Sequence, residues 1–197
     1  MFVTFEGIDG SGKTTQVELL RAELERRGSE VVAVREPGGT ELGEGIRRLV
    51  LHGVDMTPWA EAALYAAARA ELVAEVIAPA LARGAAVLCD RYIDSSLAYQ
   101  GTARGLGLDP VLELNLNAVS GLLPDRTFLL ALDPEEGARR GSESPDRIER
   151  EGLEFMRRVD RAYRELAATF EQRIAVLDAA RPPEEIAEEV RGRLGLS

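Results

Sequence analysis

At 197 residues the chain falls within the usual range for one domain, and its 45% hydrophobic share is enough to fill one sizeable core. The formal net charge of -10 argues against a nucleic acid as the main partner, because binding to a phosphate backbone depends on a basic surface. One cysteine and one histidine exclude an internal disulfide and a structural zinc site, since both need several such residues.

The N-terminal residues 1–6 lack the basic region and the long apolar run of a signal peptide. No run of about 20 uncharged apolar residues, as a membrane-spanning helix would need, occurs in the chain. We therefore expect a cytoplasmic protein with no membrane contact.

Residues 2–6 predict a short buried strand, because β-branched and aromatic residues run directly into Gly7. From Thr14 the spacing becomes helical, with Val17, Leu20 and Leu24 on one face. The predicted order is strand, glycine-rich loop and helix.

The glycine-rich loop fits the pattern G-x-x-x-x-G-K-[ST] in the strand–loop–helix context that this motif requires. Its backbone N–H groups and the following helix N-terminus would surround the phosphates of ATP. Lys13, the only lysine of the chain, would reach the β- and γ-phosphates, and the Thr14 hydroxyl would be a Mg²⁺ ligand. The predicted ATP-binding residues of this loop are Gly7, Ile8, Asp9, Gly10, Ser11, Gly12, Lys13 and Thr14.

Asp9 is an unusual residue within this loop, because the phosphates would repel a carboxylate that faced them. If it turns outward, it could hold a hydroxyl of the acceptor or an arginine that grips the acceptor phosphate. The alternative is an aspartate that only stabilises the turn.

Further strands are predicted over residues 30–35, 85–90, 127–132 and 173–178. Helices are predicted between them, over residues 41–51, 58–82, 94–101, 109–121, 148–171 and 183–194. The alternation predicts an α/β doubly wound fold, a five-stranded parallel sheet with helices on both faces, in one domain over residues 1–197. A polar segment at about 136–148, rich in arginine and containing glycine and proline, predicts a short mobile lid.

Asp90 and Arg91 follow the third strand, at the sheet edge where doubly wound folds bind ligands. Asp90 would hold Mg²⁺ directly or through water. Arg91 would neutralise phosphate charge between donor and acceptor, unless it only forms a surface salt bridge. Tyr65 and Arg69, four residues apart on one helix face, offer an aromatic surface for a base with a cation beside it, or else core packing and a solvated charge.

The chain closely resembles bacterial thymidylate kinases over nearly its whole length. The resemblance is carried by the loop with Asp9, the turn Arg35–Thr40, the run Asp90–Gly101 and the stretch 146–149. The resemblance implies a nucleoside monophosphate kinase fold and transfer of the γ-phosphoryl group of ATP to dTMP. A P-loop kinase with another acceptor and a catalytically silent nucleotide binder are the alternatives. A GTPase is excluded, because its Asn-Lys-x-Asp motif needs a second lysine.

The resemblance also implies roles for individual residues. Tyr65 would stack on thymine, Arg69 would bind the edge of the base, and Arg91 would grip phosphate. Ser96, Tyr99 and Gln100 would line the pocket for the base and deoxyribose, with Tyr99 leaving little room for a ribose 2′-hydroxyl.

On the donor side, Arg147 and Arg181 would lie at the adenine site. The lid would supply the arginine that meets transition-state charge, which could be Arg139, Arg140 or Arg147. The family resemblance further implies a homodimer packed through helices, and the alanine-rich stretch 60–82 suits close helix contact.

Overall fold

The computed structural model describes residues 1–140 and 145–196. Its strands are β1 (Phe2–Glu6), β2 (Val31–Arg35), β3 (Ala86–Asp90), β4 (Arg126–Ala131) and β5 (Ile174–Asp178). All neighbouring strands are parallel, in the order β2-β3-β1-β4-β5. The five predicted strands and the predicted α/β fold are therefore confirmed.

The α-helices are α1 (Lys13–Arg26), α2 (Glu41–His52), α3 (Pro58–Leu72), α4 (Ala78–Ala82), α5 (Ile93–Ser96), α6 (Leu108–Ala118), α7 (Pro134–Arg140), α8 (Leu153–Thr169) and α9 (Pro183–Arg193). Two π-helical segments, Val73–Ile77 and Leu97–Ala103, continue α3 and α5, and a 3-10 turn covers Glu149–Glu151. Within the described ranges, no helix is long and apolar enough to cross a membrane.

Helix α7 was not predicted from the sequence, because Pro134 and Gly137 are poor helix formers. Pro134 is tolerated in the first turn, where an N–H group has no partner within the helix. The Asp133 carboxylate then accepts hydrogen bonds from the N–H groups of Glu135 and Glu136 and caps this helix end.

The predicted helix 148–171 begins later than expected. Gly152, with a φ of 83°, separates the 3-10 turn from the first residue of α8. The predicted lid at about 136–148 begins within α7, and residues 141–144 lie outside the described part of the chain.

The core lies on both faces of the sheet, as the unbroken apolar character of the strands requires. Val3 and Phe5 of β1 and Val87 and Leu88 of β3 are fully buried. Because the strands are parallel, their carboxyl ends meet at one edge. Three segments therefore start side by side at this edge: the loop 7–12, the turn that follows Arg35, and Arg91.

A buried polar cluster ties this sheet to α5. The carboxylate of Asp94, 1% exposed, accepts two hydrogen bonds from Arg173 at 2.6 and 2.7 Å. Arg173 also donates to Thr127 of β4 at 2.8 Å, and the Thr127 hydroxyl lies 2.7 Å from that of Thr4 on β1. The cluster therefore holds β1, β4 and the start of β5 against the helix that carries Ser95 and Ser96.

We expect Asp94→Ala to lower the free energy of unfolding by about 3 to 5 kcal/mol, because it leaves the Arg173 guanidinium without its partner. Equilibrium unfolding in urea measures this change. The matched control is Asp160→Ala, which breaks the helical pair between Asp160 and Arg164, whose side chain is 52% exposed, and should cost less than about 1 kcal/mol. Equal losses in the two variants would contradict the structural role of Asp94.

Candidate active site

The predicted phosphate-binding loop connects β1 to α1. Gly10 and Gly12 have φ values of 78° and 88°, which glycine adopts at little cost. Lys13 is 7% exposed, and its Nζ donates to the Ile8 carbonyl at 2.9 Å. The side chains of Ile8 and Ser11 are buried, and the Ser11 N–H donates to the Ile8 carbonyl at 3.3 Å within the loop.

This loop opens into a phosphate cavity of about 400 Å³. Its charged and polar lining consists of Asp9, Lys13, Thr14, Thr15, Arg35, Glu36, Arg47, Asp90, Arg91 and Arg140. Cations outnumber carboxylates here, although the whole chain carries a net charge of -10. The cavity is therefore locally basic and suits a polyanion such as a nucleoside triphosphate.

Thr14 and Asp90 form the candidate metal site at the sheet edge. The Thr14 hydroxyl donates to Oδ2 of Asp90 at 2.6 Å. In the part of the chain that the structure describes, no group of three His, Cys, Asp or Glu side chains is placed to hold a metal ion by itself. A hydroxyl and one carboxylate beside a phosphate cavity fit Mg²⁺, which is usually held by one or two carboxylates together with phosphate oxygens and water.

Asp9 faces a guanidinium. Its Oδ1 lies 2.6 Å from Nη2 of Arg91 and 3.9 Å from Nζ of Lys13. Burial by itself would raise the pKa of Asp9, but the charges of Arg91 and Lys13 outweigh burial and lower this pKa to about 2. Of the alternatives considered for Asp9, the structure supports contact with an arginine.

Arg91 is fixed from several sides. It has a φ of 71°, which is uncommon for a residue other than glycine, and its Nη1 donates to the Gly7 carbonyl at 2.9 Å. The same nitrogen lies 3.3 Å from the hydroxyls of Ser95 and Tyr163. These contacts leave the guanidinium of Arg91 little freedom to change its position.

Glu6, the last residue of β1, supports these contacts from below. It accepts hydrogen bonds from the Tyr92 N–H at 2.7 Å, the Ser95 hydroxyl at 2.6 Å and the Tyr163 hydroxyl at 2.9 Å. Burial, together with the charge of Asp94, raises the pKa of this carboxyl group above its ordinary value.

A second cavity, which we call the acceptor cavity, adjoins the phosphate cavity. The family resemblance implied a pocket of Tyr65, Arg69, Ser96, Tyr99 and Gln100, and all of these except Arg69 line the cavity. The two cavities share one wall, formed by Asp9, Glu36, Arg47 and Arg91. A ligand in each cavity would therefore meet the other at Asp9 and Arg91.

Two buried acceptor atoms at this cavity have no hydrogen-bond partner among the described residues. They are Oε1 of Glu36 and the Tyr99 hydroxyl oxygen. Buried polar atoms usually have a hydrogen-bond partner. Two such atoms without a partner in the lining of one cavity indicate a ligand with hydroxyl or N–H groups.

Arg69 is not part of the cavity lining. It is 1% exposed, and its guanidinium is held at 2.5 Å by Glu36 and donates at 3.0 Å to the Ser96 hydroxyl and to the Tyr92 carbonyl. It also donates to Oδ1 of Asn115. The structure thus places Arg69 behind Glu36 and Ser96, where it orients both lining residues.

The predicted donor-site arginines lie away from the phosphate cavity. Arg147 is 6% exposed, and it donates to Glu61 at 2.6 Å and to the Val50 carbonyl at 2.8 Å. Arg181 is paired with Glu189 at 2.6 Å. Neither side chain lines the phosphate cavity, whereas Asp146 and Ile148, which flank Arg147, line the acceptor cavity.

Arg140 is the one of the three candidate lid arginines that lines the phosphate cavity. A backbone contact brings its helix there. A Cβ atom built on Gly10 would lie 2.8 Å from the Gly137 carbonyl oxygen, and one built on Gly137 would lie 2.9 Å from the Asp9 carbonyl oxygen. Only glycine at both positions lets α7 pack this closely on the phosphate-binding loop.

Sequence analysis missed Arg47 and Glu36 as lining residues. Arg47 on α2 is next to the exposed Arg48, and no sequence pattern distinguishes the two. Glu36 belongs to the turn Arg35–Thr40, which is part of the family resemblance. Only the fold shows that Glu36 is 5% exposed and borders both cavities.

Comparisons with known proteins agree on one family. A family model described as "Thymidylate kinase" matches residues 5–190. A thymidylate kinase of a Synechococcus strain is 54% identical over 187 residues, 95% of this chain and 91% of that protein. The thymidylate kinase of Deinococcus radiodurans is 49% identical over 195 residues, 96% of this chain and 94% of that protein. The crystal structure of thymidylate kinase from Ehrlichia chaffeensis superposes with a TM-score of 0.81 at 35% identity, covering 98% of each chain.

The charge of Lys13 predicts how nucleotide affinity depends on pH. Burial and the nearby charge of Arg91 lower the pKa of Lys13 to about 8. The ammonium group is therefore present below pH 8 and is lost as the pH rises through that value. We expect the dissociation constant of ATP from the free protein to be constant near pH 7 and to rise by up to about tenfold per pH unit above pH 8.

Fluorescence titration with a labelled ATP analogue between pH 6.5 and 9.5 measures this constant. Phosphate oxygens are fully ionised above about pH 7.5, so they do not add to the change. Lys13→Arg is the control, because its guanidinium keeps its charge throughout and its affinity, whatever its size, should stay constant. The same rise in both proteins would assign the effect to another group.

Proposed function

The chain belongs to the thymidylate kinase family, and we propose that the two adjoining cavities hold the two substrates of that family's reaction, ATP and dTMP. The protein is an ATP-dependent nucleoside monophosphate kinase that phosphorylates dTMP. The observation that supports the assignment of the cavities is their common wall, in which Asp9 and Arg91 stand between donor and acceptor.

In the phosphate cavity, the backbone of the loop 7–12 and the Lys13 ammonium group bind the β- and γ-phosphates of ATP. We assign Thr14 and Asp90 to Mg²⁺, which when bound would neutralise charge on those phosphates. Asp90→Asn should raise the Mg²⁺ concentration that gives half-maximal turnover, and an unchanged titration curve would refute this assignment.

In the acceptor cavity, Tyr65 stacks on the base, and the ring of Tyr99 closes the sugar side. The 3′-hydroxyl, the one free hydroxyl of the deoxyribose in dTMP, can donate to one of the two unpaired atoms, Glu36 Oε1 or the Tyr99 hydroxyl oxygen. Arg91, 5.4 Å from the centre of the Tyr99 ring, grips the acceptor phosphate, and Asp9 holds Arg91 in position. Because phosphoryl transfer depends mostly on positioning and electrostatics, this wall supplies the main catalytic contribution.

Arg140 supplies positive charge from the donor side. It borders the phosphate cavity, and the contact between Gly10 and Gly137 keeps its helix against the loop. We assign it the role of the lid arginine, within a single domain of residues 1–197 whose lid spans about 136–148. Arg147 keeps a structural role, because its guanidinium is already paired with the buried Glu61.

We further propose that the protein is a cytoplasmic homodimer. On α2, the exposed side chains of Leu42 and Leu49 are two turns apart on one face. The neighbouring α3 exposes Ala60, Ala63 and Ala67 at helical spacing. Light scattering behind a sizing column should give twice 21.4 kDa, and Leu49→Glu should shift this mass to that of the monomer. Cell fractionation tests the compartment.

We expect ATP turnover to be fastest with dTMP in a panel that also contains dUMP, UMP, dCMP, AMP and thymidine. UMP should fail because its 2′-hydroxyl meets Tyr99, and thymidine should fail because it offers no phosphate to Arg91. Coupled measurement of ADP formation ranks these acceptors. A better acceptor than dTMP would reassign the cavity, and ATP binding without turnover on any acceptor would leave only a nucleotide binder.

The roles of the two neighbouring lid arginines are separable. Arg140→Ala should lower kcat by at least about 100-fold while leaving the KM for dTMP nearly unchanged, because the guanidinium acts on charge in the transition state. Arg139→Ala is the matched control, since Arg139 shares the Glu136 carboxylate with Arg140 but is 76% exposed and does not line the phosphate cavity, and its kcat should change less than about twofold. Equal effects of the two substitutions would overturn the assignment of Arg140.

A further inference from the structure

Glu61, in the first turns of α3, is a buried carboxylate behind the wall of the acceptor cavity, 1% exposed. Its Oε1 accepts from Nε2 of Gln100 at 2.8 Å and from Nε of Arg104 at 3.3 Å. Its Oε2 accepts from Nη2 of Arg147 at 2.6 Å and from Nη2 of Arg104 at 3.1 Å. The carboxylate is thereby close to its capacity as a hydrogen-bond acceptor.

Glu61 is ionised in this environment. Burial by itself would raise its pKa, but hydrogen bonds from Gln100, Arg147 and Arg104 outweigh burial and lower the pKa. Glu151, 2.6 Å from Arg104, brings a second negative charge to the cluster, so the two carboxylates balance the two guanidinium groups. An ionised carboxylate has no proton to donate and can only accept hydrogen bonds.

This acceptor-only character fixes which way the Gln100 amide turns. A glutamine amide has a donor end, the NH2 group, and an acceptor end, the carbonyl oxygen. Facing the ionised Glu61 carboxylate at 2.8 Å, Gln100 must use its NH2 group, because two oxygens would repel each other. Because Gln100 also lines the acceptor cavity, its oxygen is the end left for a base.

We propose that Glu61 is a positioning residue for acceptor specificity, which holds Gln100 so that an acceptor oxygen faces the base. The inference rests on the proposed use of this cavity for the base of dTMP. Thymine and uracil carry an N–H group at ring position 3, whereas cytosine has a lone pair there. An oxygen on Gln100 therefore accepts from thymine and uracil and repels cytosine.

The same carboxylate also holds a second part of the cavity lining. Arg147, held by Glu61, is further held by its own N–H group, which donates to the Leu51 carbonyl at 2.9 Å. Its neighbours Asp146 and Ile148, like Leu51 itself, line the acceptor cavity. Glu61 thus orients the base-reading amide and anchors the stretch of lining that flanks Arg147.

Glu61→Gln tests the proposal, because the new amide at position 61 should reverse the orientation of the Gln100 amide. Arg104 and Arg147 would take the oxygen of the new side chain, which would leave its NH2 group facing Gln100. Gln100 would then turn its oxygen toward residue 61 and present NH2 to the base. We expect the ratio of kcat/KM for dTMP to that for dCMP to fall about 10- to 100-fold.

The ratio for dTMP to dUMP should stay within about twofold, since these bases share the N–H group at position 3. Both ratios are taken on one protein preparation, so loss of folded protein cancels. Glu151→Gln is the matched control, because it loosens the same cluster at Arg104 without touching Gln100, and it should leave both ratios unchanged. An unchanged dTMP to dCMP ratio in Glu61→Gln would overturn the proposal.

Glu61→Gln combined with Gln100→Glu keeps one carboxylate between the arginines and gives a second measurement if the single variant does not fold. Residue 100 would again present an oxygen to the base, so the preference for dTMP over dCMP should return. Loss of that preference in the double variant would overturn the proposal. If the unaltered protein itself fails to prefer dTMP, the assignment of the cavity to that base is wrong.

Discussion

Arg91 lies in the wall that the phosphate cavity and the acceptor cavity share, and its guanidinium borders both cavities. It follows β3, which lies beside β1 in the sheet, so its guanidinium reaches the loop after β1 and contacts the Gly7 carbonyl and Asp9. A free guanidinium at the boundary of two phosphate sites would adopt many positions. Here Asp9, Ser95 and Tyr163 restrict it, and the buried Glu6 holds the last two in place. The position of the Arg91 guanidinium in the shared wall therefore depends on Glu6, at the end of β1.

Ionic groups in this protein act in two layers. Arg91, Lys13 and Arg140 border the phosphate cavity, where substrates are charged. Arg69 and Arg147 lie one layer deeper, and each neutralises a buried carboxylate whose other contacts reach the acceptor cavity. Buried ion pairs are weak evidence for stability, and in some proteins they specify a single arrangement of their neighbours. In the function that we propose, the deeper layer sets the shape of the acceptor cavity and the outer layer meets the substrates.

The sheet and the phosphate-binding loop could be predicted from residue patterns, because each is specified by residues close together in the chain. Strand patterns and glycine spacing identified β1 to β5 and Lys13. Tyr65 and Gln100, which lie on separate elements, were assigned to one pocket through the family resemblance, and both line the acceptor cavity. The roles of Arg69 and Arg147 could not be predicted in this way. Whether an arginine faces a ligand or a carboxylate depends on partners such as Glu36 and Glu61, which are 33 and 86 residues away along the chain. Helix α7 was missed because Pro134 and Gly137 are poor helix formers. The capping by Asp133 and the packing of Gly137 on the loop are visible only in the fold.

Lys13 is the only lysine in the chain, and the N-terminal amine is the only other primary amine. Reagents that acylate amines therefore have a single side-chain target, and it lies at the bottom of the phosphate cavity. Its pKa of about 8 gives the uncharged, nucleophilic form at moderate pH, whereas ordinary lysines stay protonated there. Bound phosphate would shield this nitrogen and keep it charged. Because the N-terminal amine reacts in either case, one added acyl group on the intact protein indicates an occupied donor site, and two indicate an empty one.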